Sequence, residues 1–166
     1  MNEVPRLPRT EDRAITAAID WLKVAVERFP EEITVVVCAS KEEAREVHRL
    51  LRPTFGAATR LGSDESFSFD QGILVTDVRS VKGLEFMNVL LWNPSRKIYP
   101  GSDEDRNALY VAITRAEENL CIVSWDRPSP LLPDIFSTLV RGYDLEPADE
   151  QDGETQEPEG DEVANG

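Results

Sequence analysis

The sequence predicts an α/β fold, a three-layer sandwich with a mostly parallel sheet. Four apolar runs, 33–39, 72–76, 88–92 and 120–125, are rich in Val, Ile and Leu, as strands covered on both faces would be. Helical patterns lie between several of these runs, and the succession of strand, capped helix and strand is typical of a parallel sheet. We therefore expect helices on both faces of one sheet.

The composition is that of one globular domain that needs no disulfide or metal to fold, with 166 residues and 40% hydrophobic content. Cys38 and Cys121 lie inside apolar runs and form no CxxC pair, which predicts small buried side chains in a reducing, cytoplasmic compartment. No apolar run approaches the roughly 20 residues that a membrane span requires, so we expect no membrane contact.

Charge and proline content divide the chain into three parts. Residues 1–9 contain two prolines and no periodicity, and we interpret them as a leader or the stump of a linker. Residues 10–142 form the predicted domain. Residues 143–166 hold ten acidic residues and no Lys or Arg, which predicts a disordered acidic tail. Without this tail the formal net charge of -14 falls to about -4, so the domain lacks the dense basic face of an autonomous DNA-binding protein.

The first half of the domain begins with a helix that Thr10 caps and Pro30 stops. The strand 33–39 follows. Ser40 and Glu43 then form a capping-box pattern, which predicts that a second helix begins directly after this strand.

The second half alternates aromatic and polar residues over 67–69, which predicts a short edge strand before the buried strand 72–76. A helix is expected from Ser102 to about residue 116, and it leads into the strand 120–125. A proline-rich turn then predicts a last helix, roughly 134–141.

Polar groups follow apolar elements in two stretches, 75–86 and 108–116. Ligands of open α/β sheets bind at the carboxyl ends of strands, so we expect both stretches to lie there and to serve one phosphate-binding site. Gly83 allows a tight turn or the close approach of a ligand, and Glu85 can accept hydrogen bonds from ligand hydroxyls. The alternative is an ordinary turn with a surface pair of Lys82 and Glu85.

Arg115 lies near the end of the second stretch, on a helix with the small residues Ala108 and Ala112. The planar fork of an arginine can bind phosphate through two parallel hydrogen bonds. The alternative is an arginine that caps carbonyl groups at the end of its own helix.

Taken together, 81–86 and 109–116 resemble the fifth and sixth motifs of UvrD/Rep-type superfamily-one DNA helicases, with the same order and one strand between them. A weaker similarity over 10–132 is to the C-terminal, second RecA-like domain of that family. The resemblance implies a P-loop NTPase-like fold and an ATP-driven motor on single-stranded DNA. ATP with Mg²⁺ would lie between two RecA-like domains.

The resemblance also implies roles for residues at the nucleotide. Glu85 matches the glutamate that contacts the ribose, and Gly83 lies in the same ATP-binding turn. Arg115 matches the catalytic arginine that reaches the γ-phosphate and stabilises charge in the transition state.

On the DNA side, the resemblance implies nucleic-acid contacts by Arg79, Ser80 and Lys82. The family carries Thr and His where this chain has Asp77 and Arg79. Arg79 can still pair with a phosphate, whereas the carboxylate of Asp77 would repel one.

The sequence contains no GxxxxGK[ST] phosphate loop, and no metal site is predicted. We therefore expect an N-terminal helicase domain or subunit to supply the phosphate loop, and we expect no ATP hydrolysis by this chain alone. The implied function is one half of an ATP-dependent DNA helicase of DNA repair.

Two other hypotheses remain open. In the first, the chain is a catalytically inactive, helicase-derived module that binds a DNA-processing partner, although a relic would have no physical need for Glu85 or Arg115. In the second, Asp77 at the end of an apolar strand is a phosphoacceptor, as in receiver domains.

Overall fold

The computed structural model describes residues 10–63 and 67–133. The predicted leader 1–9, the predicted tail 143–166 and the predicted last helix 134–141 lie outside these residues. Within them, no helix is both long and apolar enough to cross a bilayer.

The described residues form a five-stranded sheet with the strand order β2-β3-β1-β4-β5. All of its pairings are parallel. This arrangement confirms the predicted α/β fold with its mostly parallel sheet. The elements in chain order are α1 (Thr10–Arg28), β1 (Ile33–Cys38), α2 (Lys41–Phe55), β2 (Thr59–Leu61), β3 (Gly72–Asp77), β4 (Phe86–Trp92), α3 (Asp103–Ile113) and β5 (Ala116–Val123).

Each face of the sheet is buried against its own layer, because successive side chains of a strand point to opposite faces. Val36 and Cys38 of β1 pack in a cluster with Leu22 of α1 and Leu51 of α2. The intervening Val35 and Val37 pack on the other face. Their cluster there includes residues of α3 and of the loops around it, namely Val78, Val81, Tyr99, Leu109, Ala112 and Ile113.

A polar ladder crosses three adjacent strands on the α1 side. The Asn88 side-chain amide donates to the Thr34 hydroxyl at 3.2 Å, and the Asn119 amide donates to the Asn88 carbonyl oxygen at 2.9 Å. Thr34 and Asn88 are fully buried, so these bonds satisfy groups that would otherwise cost free energy. We call this set of three residues the polar ladder.

The helix caps predicted at Ser40 and Ser102 are both present, in different forms. The Ser102 hydroxyl and the Asp105 carboxylate bind each other's backbone N–H groups, which completes a capping box for α3. In α2 the Ser40 hydroxyl accepts from the Glu43 N–H, but the Glu43 carboxylate accepts from the Ala39 N–H at 2.7 Å. The second bond thus reaches one residue further back and ties α2 to the end of β1.

The prediction of an edge strand at 67–69 is wrong. The strand at this edge of the sheet, next to β3, is β2 at Thr59–Leu61. Phe67 is half-buried against the core, while Phe69 is 63% exposed and packs at a tilt of 45° against the ring of Phe67, with 5.4 Å between centroids. The alternation of aromatic and polar residues therefore reflects one ring anchored in the core and a second ring that packs against it.

The boundary between α3 and β5 also differs from the prediction. Helix α3 ends at Ile113 and β5 begins at Ala116, four residues earlier than the apolar run. β5 lies at the edge of the sheet, where its polar start, with Glu117 and Glu118, can face water. The apolar pattern missed this start because it detects only the buried part of an edge strand.

We predict that Leu22→Ala lowers the free energy of unfolding by about 2–5 kcal/mol, because it leaves a cavity between α1 and the sheet. Val24→Ala is the matched control on the same helix, since Val24 is 51% exposed and Leu22 is 0% exposed. The control should change the free energy by less than about 0.5 kcal/mol. Urea unfolding followed by tryptophan fluorescence measures both. Equal losses would contradict the packing of α1 on the sheet.

Candidate functional site

The first motif stretch, residues 75–86, runs along the sheet from the carboxyl ends of the strands to their amino ends. We call these two ends of the sheet the carboxyl edge and the amino edge. The stretch leaves the carboxyl end of β3 at Asp77 and enters the amino end of β4 at Phe86. Val78 and Val81 anchor this crossover, residues 78–85, in the core on the α3 side. Arg79 and Ser80 therefore lie at the carboxyl edge, and Glu85 lies at the amino edge.

The expectation that the whole site lies at the carboxyl ends of strands is therefore wrong. Glu85 directly precedes β4, and Arg115 directly precedes β5, so both lie at the amino edge. The rule for open α/β sheets assumes that each strand is followed by a loop and a helix. Here the connection from β3 to β4 contains no helix, and its eight residues alone bridge the two edges.

Asp77 shapes the start of the crossover. Its side chain is 3% exposed, and one carboxylate oxygen accepts from the backbone N–H groups of Arg79 and Ser80 at 3.0 and 3.3 Å. The other oxygen accepts from the Ser80 hydroxyl at 2.7 Å. The carboxylate thus faces the turn rather than a ligand. Because both oxygens are occupied, the geometry argues against the phosphoacceptor hypothesis.

Two exposed cations lie on the crossover. The side chain of Arg79 is 86% exposed, and its guanidinium lies 3.9 Å from the equally exposed carboxylate of Glu104, a weak surface contact. Lys82 is exposed and has no hydrogen bond or ion pair among residues 10–63 and 67–133. Both can therefore bind an anion from solvent without breaking a buried interaction.

Gly83 is required by its backbone conformation. Its φ of +81° lies in the left-handed region that side chains disfavour, and a Cβ there would meet no atom within 4 Å. The glycine thus serves the turn, and the space beside it is open.

Arg115 joins the two motif stretches through its guanidinium. Its Nε–H donates to the Val111 carbonyl at 3.1 Å, and Nη1 donates to the Leu84 carbonyl at 3.2 Å. Nη2 donates to the Thr114 hydroxyl at 3.2 Å. A guanidinium has five N–H groups, so one remains on each terminal nitrogen. The half-buried arginine caps its helix, as the alternative expected, and still presents two donors.

A backbone bond reinforces this junction, because the Phe86 N–H donates to the Arg115 carbonyl at 2.8 Å. Glu85 lies between Leu84 and Phe86, so it is brought beside Arg115 at the amino edge. Glu85 is exposed and has no hydrogen bond or ion pair within the described part of the chain. With Glu117 and Glu118 it lines an open hollow of about 440 Å³.

A second cleft, of about 460 Å³, opens on the other side of the crossover. Arg79 and Lys82 lie on its rim beside Glu104 and Asp105 of α3. Hydrogen bonds from the backbone of Gly101 and from Ser102 hold the pKa of Asp105 below its usual range, so this carboxylate is charged at neutral pH. This cleft was not predictable from the sequence, because its rim combines residues from distant stretches.

The predicted site residues therefore separate into two groups. Gly83, Glu85 and Arg115 meet at or near the amino edge, whereas Arg79, Ser80 and Lys82 line the crossover toward the carboxyl edge. Among residues 10–63 and 67–133, no three His, Cys, Asp or Glu side chains are grouped so that they could hold a metal ion.

Known proteins resemble the part of the chain that carries both groups. Residues 72–123 match the family model of the UvrD-like helicase C-terminal domain. The fold is similar to the crystal structure of the C-terminal domain of a possible DNA helicase from Lactobacillus plantarum WCFS1. The TM-score is 0.63, with 26% identity over 77% of this chain and 76% of that chain. A search of curated proteins finds no match. The helicase resemblance that the sequence predicts is thus confirmed.

We predict that Arg115→Ala lowers the free energy of unfolding by about 1–3 kcal/mol, because it removes three hydrogen bonds from a charged donor and leaves the Leu84 carbonyl without this partner. Arg96→Ala, at an exposed arginine, is the control and should stay within about 0.5 kcal/mol. Chemical unfolding of both variants tests this. A loss no larger than that of the control would mean that the junction contributes nothing to stability.

Proposed function

We propose that this chain is the C-terminal, second RecA-like half of a UvrD/Rep-like, ATP-dependent DNA helicase, working in the cytoplasm in DNA repair. It would supply one wall of an ATP site and one part of a single-stranded DNA track. The observation that carries the proposal is the junction at the amino edge, where Arg115 is bonded to the turn that presents Glu85. The two sequence motifs, 81–86 and 109–116, thereby contribute Glu85 and Thr114 to the lining of one hollow.

The junction fits half of a nucleotide site. The two free N–H groups of Arg115 can bind phosphate oxygens, and the exposed carboxylate of Glu85 can accept hydrogen bonds from ribose hydroxyls. The three internal bonds of Arg115 hold its fork in place before a ligand arrives, which lowers the cost of orienting it in a transition state. ATP itself would supply the phosphoryl group that is transferred to water.

The other half of the nucleotide site must come from elsewhere. The sequence has no phosphate loop, and the described residues have no carboxylate cluster for Mg²⁺. Glu117 and Glu118 make the hollow acidic, which disfavours a free polyphosphate. A partner domain with a phosphate-loop lysine and bound Mg²⁺ would offset that charge, and this requirement supports the proposed N-terminal helicase domain or subunit.

The crossover supports the proposed DNA contacts. Arg79 and Lys82 are exposed, and the carboxylate of Asp77 is turned away from solvent into the turn that begins the crossover. The repulsion expected from Asp77 is therefore weakened at the surface that a strand would touch. Ser80 helps to hold this turn through its hydroxyl bond to Asp77.

The inactive docking module is a second candidate, and the internal bonds of Arg115 favour it. A relic would still need this arginine, because it ties the crossover to α3. The presence of Arg115 therefore does not separate the two functions, whereas its effect on turnover does.

We predict that the purified chain hydrolyses no ATP with Mg²⁺, with or without single-stranded DNA, because it lacks a phosphate loop. Mixed with a separately produced N-terminal helicase domain that carries the loop, it should complete a site. In that assembly Arg115→Ala should lower kcat by about 10³-fold or more and change KM little, as for other arginine fingers. Steady-state phosphate release measures both parameters.

Leu22→Ala is the control for this experiment, since it weakens the fold without touching the junction. It should keep kcat at a temperature where both variants are folded. Arg115-dependent turnover by the chain alone would overturn the half-site. An active assembly in which Arg115→Ala has the same kcat as the wild type would instead show that the chain is a docking module.

We also predict that Arg79→Ala and Lys82→Ala each weaken single-stranded DNA binding by the assembly to a similar extent on all sequences. Each should reduce the slope of log affinity against log salt by about 1, because one phosphate contact is lost. Lys23→Ala is the control, since Lys23 is exposed on α1 across the sheet. Fluorescence anisotropy over a salt series gives the slopes. Unchanged slopes for both crossover variants would exclude this surface from the DNA track.

A further inference from the structure

The cleft of about 460 Å³ beside the crossover has an apolar wall and a polar rim. The wall is formed by Ala39, Val78, Ile98, Tyr99, Ala108 and Val111. Its volume lies in the range of sites that bind small organic molecules, and such sites combine an apolar lining with a few polar groups that orient the ligand. The cleft can therefore accept a planar ring.

The charges on the rim are separated by sign. Arg79 and Lys82 lie on the crossover side, and Glu104 and Asp105 lie on the α3 side. Asp105 is engaged in the capping box, where it accepts from the Gly101 and Ser102 N–H groups. Glu104, by contrast, is 87% exposed and touches only Arg79, at 3.9 Å, among the described residues. Its carboxylate is available to a ligand.

This rim is complementary to a nucleotide whose base carries an amino group. A phosphate would meet the two cations, and an exocyclic amine on the base would donate to the carboxylate of Glu104. Cytosine presents such an amine, whereas thymine presents a carbonyl oxygen that Glu104 would repel. The weak contact between Arg79 and Glu104 opens readily because both groups are in water.

We propose that this cleft binds one base of the single strand and prefers cytosine to thymine through Glu104. The inference rests on the DNA track of the proposed function and adds a base-reading pocket to it. A protein side chain is the less favoured occupant, because an apolar anchor would use neither the cations nor the free carboxylate.

Methyl NMR of the whole chain tests the pocket directly and needs no partner domain. Titration with dCMP should shift the methyl signals of Ala108, Val111 and Ile98, whereas deoxyribose 5-phosphate should not. dTMP should bind about ten- to a hundredfold more weakly than dCMP, the loss expected for one hydrogen bond to a charged group. Glu104→Gln should bring the two affinities to within about twofold of each other.

Two variants distinguish the contribution of the base to binding from that of the phosphate. Ala108→Phe fills the cleft and should abolish the cytosine preference while leaving the affinity for an abasic oligonucleotide unchanged. Arg79→Ala should lower the affinities for cytosine, thymine and abasic oligonucleotides by the same factor. A short oligo-dC that binds at least tenfold more tightly than dCMP would identify the strand, rather than a free mononucleotide, as the source of the base.

Equal affinities for dCMP and dTMP in the wild type would overturn the inference. So would the absence of methyl shifts with both dCMP and oligo-dC at millimolar concentration. Shifts caused by N-acetyltryptophanamide and not by dCMP would also overturn it, and would assign the cleft to a protein anchor. Because ATP turnover in the mixed assembly is measured separately, failure of the pocket is distinguishable from failure of the proposed motor half.

Discussion

The hydrogen bond from the Arg115 guanidinium to the Leu84 carbonyl is the constraint on which the site depends. It joins the turn before β4 to the end of α3, two segments that share no secondary structure. The backbone bond from the Phe86 N–H to the Arg115 carbonyl joins the same two segments on the other side of Glu85. With the side-chain bond, the guanidinium and the backbone of the turn that carries Glu85 hold a fixed relation before any ligand is present, which favours electrostatic preorganisation of the arginine. One side chain therefore serves both the fold and the chemistry proposed for it.

The crossover connects this junction to the carboxyl edge of the sheet. Residues 78–85 pass over the α3 side of the sheet, held there by Val78 and Val81. Its first residues are fixed by the carboxylate of Asp77, and its last turn is fixed by Gly83 and by the bond to Arg115. The segment is thus tethered at both ends and in the middle.

Sequence patterns predicted the sheet, its helices and the motif stretches well, because each depends on local features. The apolar runs predicted the bounds of β1 and β3 to within one residue and those of β4 to within two, and the cap at Ser102 predicted the start of α3. The amino-edge position of Glu85 and Arg115 was not predictable in this way, since it follows from a connection without a helix. The role of Asp77 in its turn and the pairing of charges around the second cleft depend on side-chain directions, which no periodicity encodes. The apolar pattern predicted the start of β5 at residue 120 rather than at Ala116, because the exposed first residues of this edge strand are polar.

The polar ladder has a consequence for how this sheet finds its alignment. Apolar side chains of similar size tolerate sliding of one strand past the next, because Val, Ile and Leu pack interchangeably. Asn88 must meet both Thr34 and Asn119, and a slip of a single residue would turn it to the opposite face and leave its amide buried among hydrocarbon. The three residues thus select one register of the strands. Every misaligned sheet leaves some of their polar groups without a partner, and only one arrangement satisfies all of them.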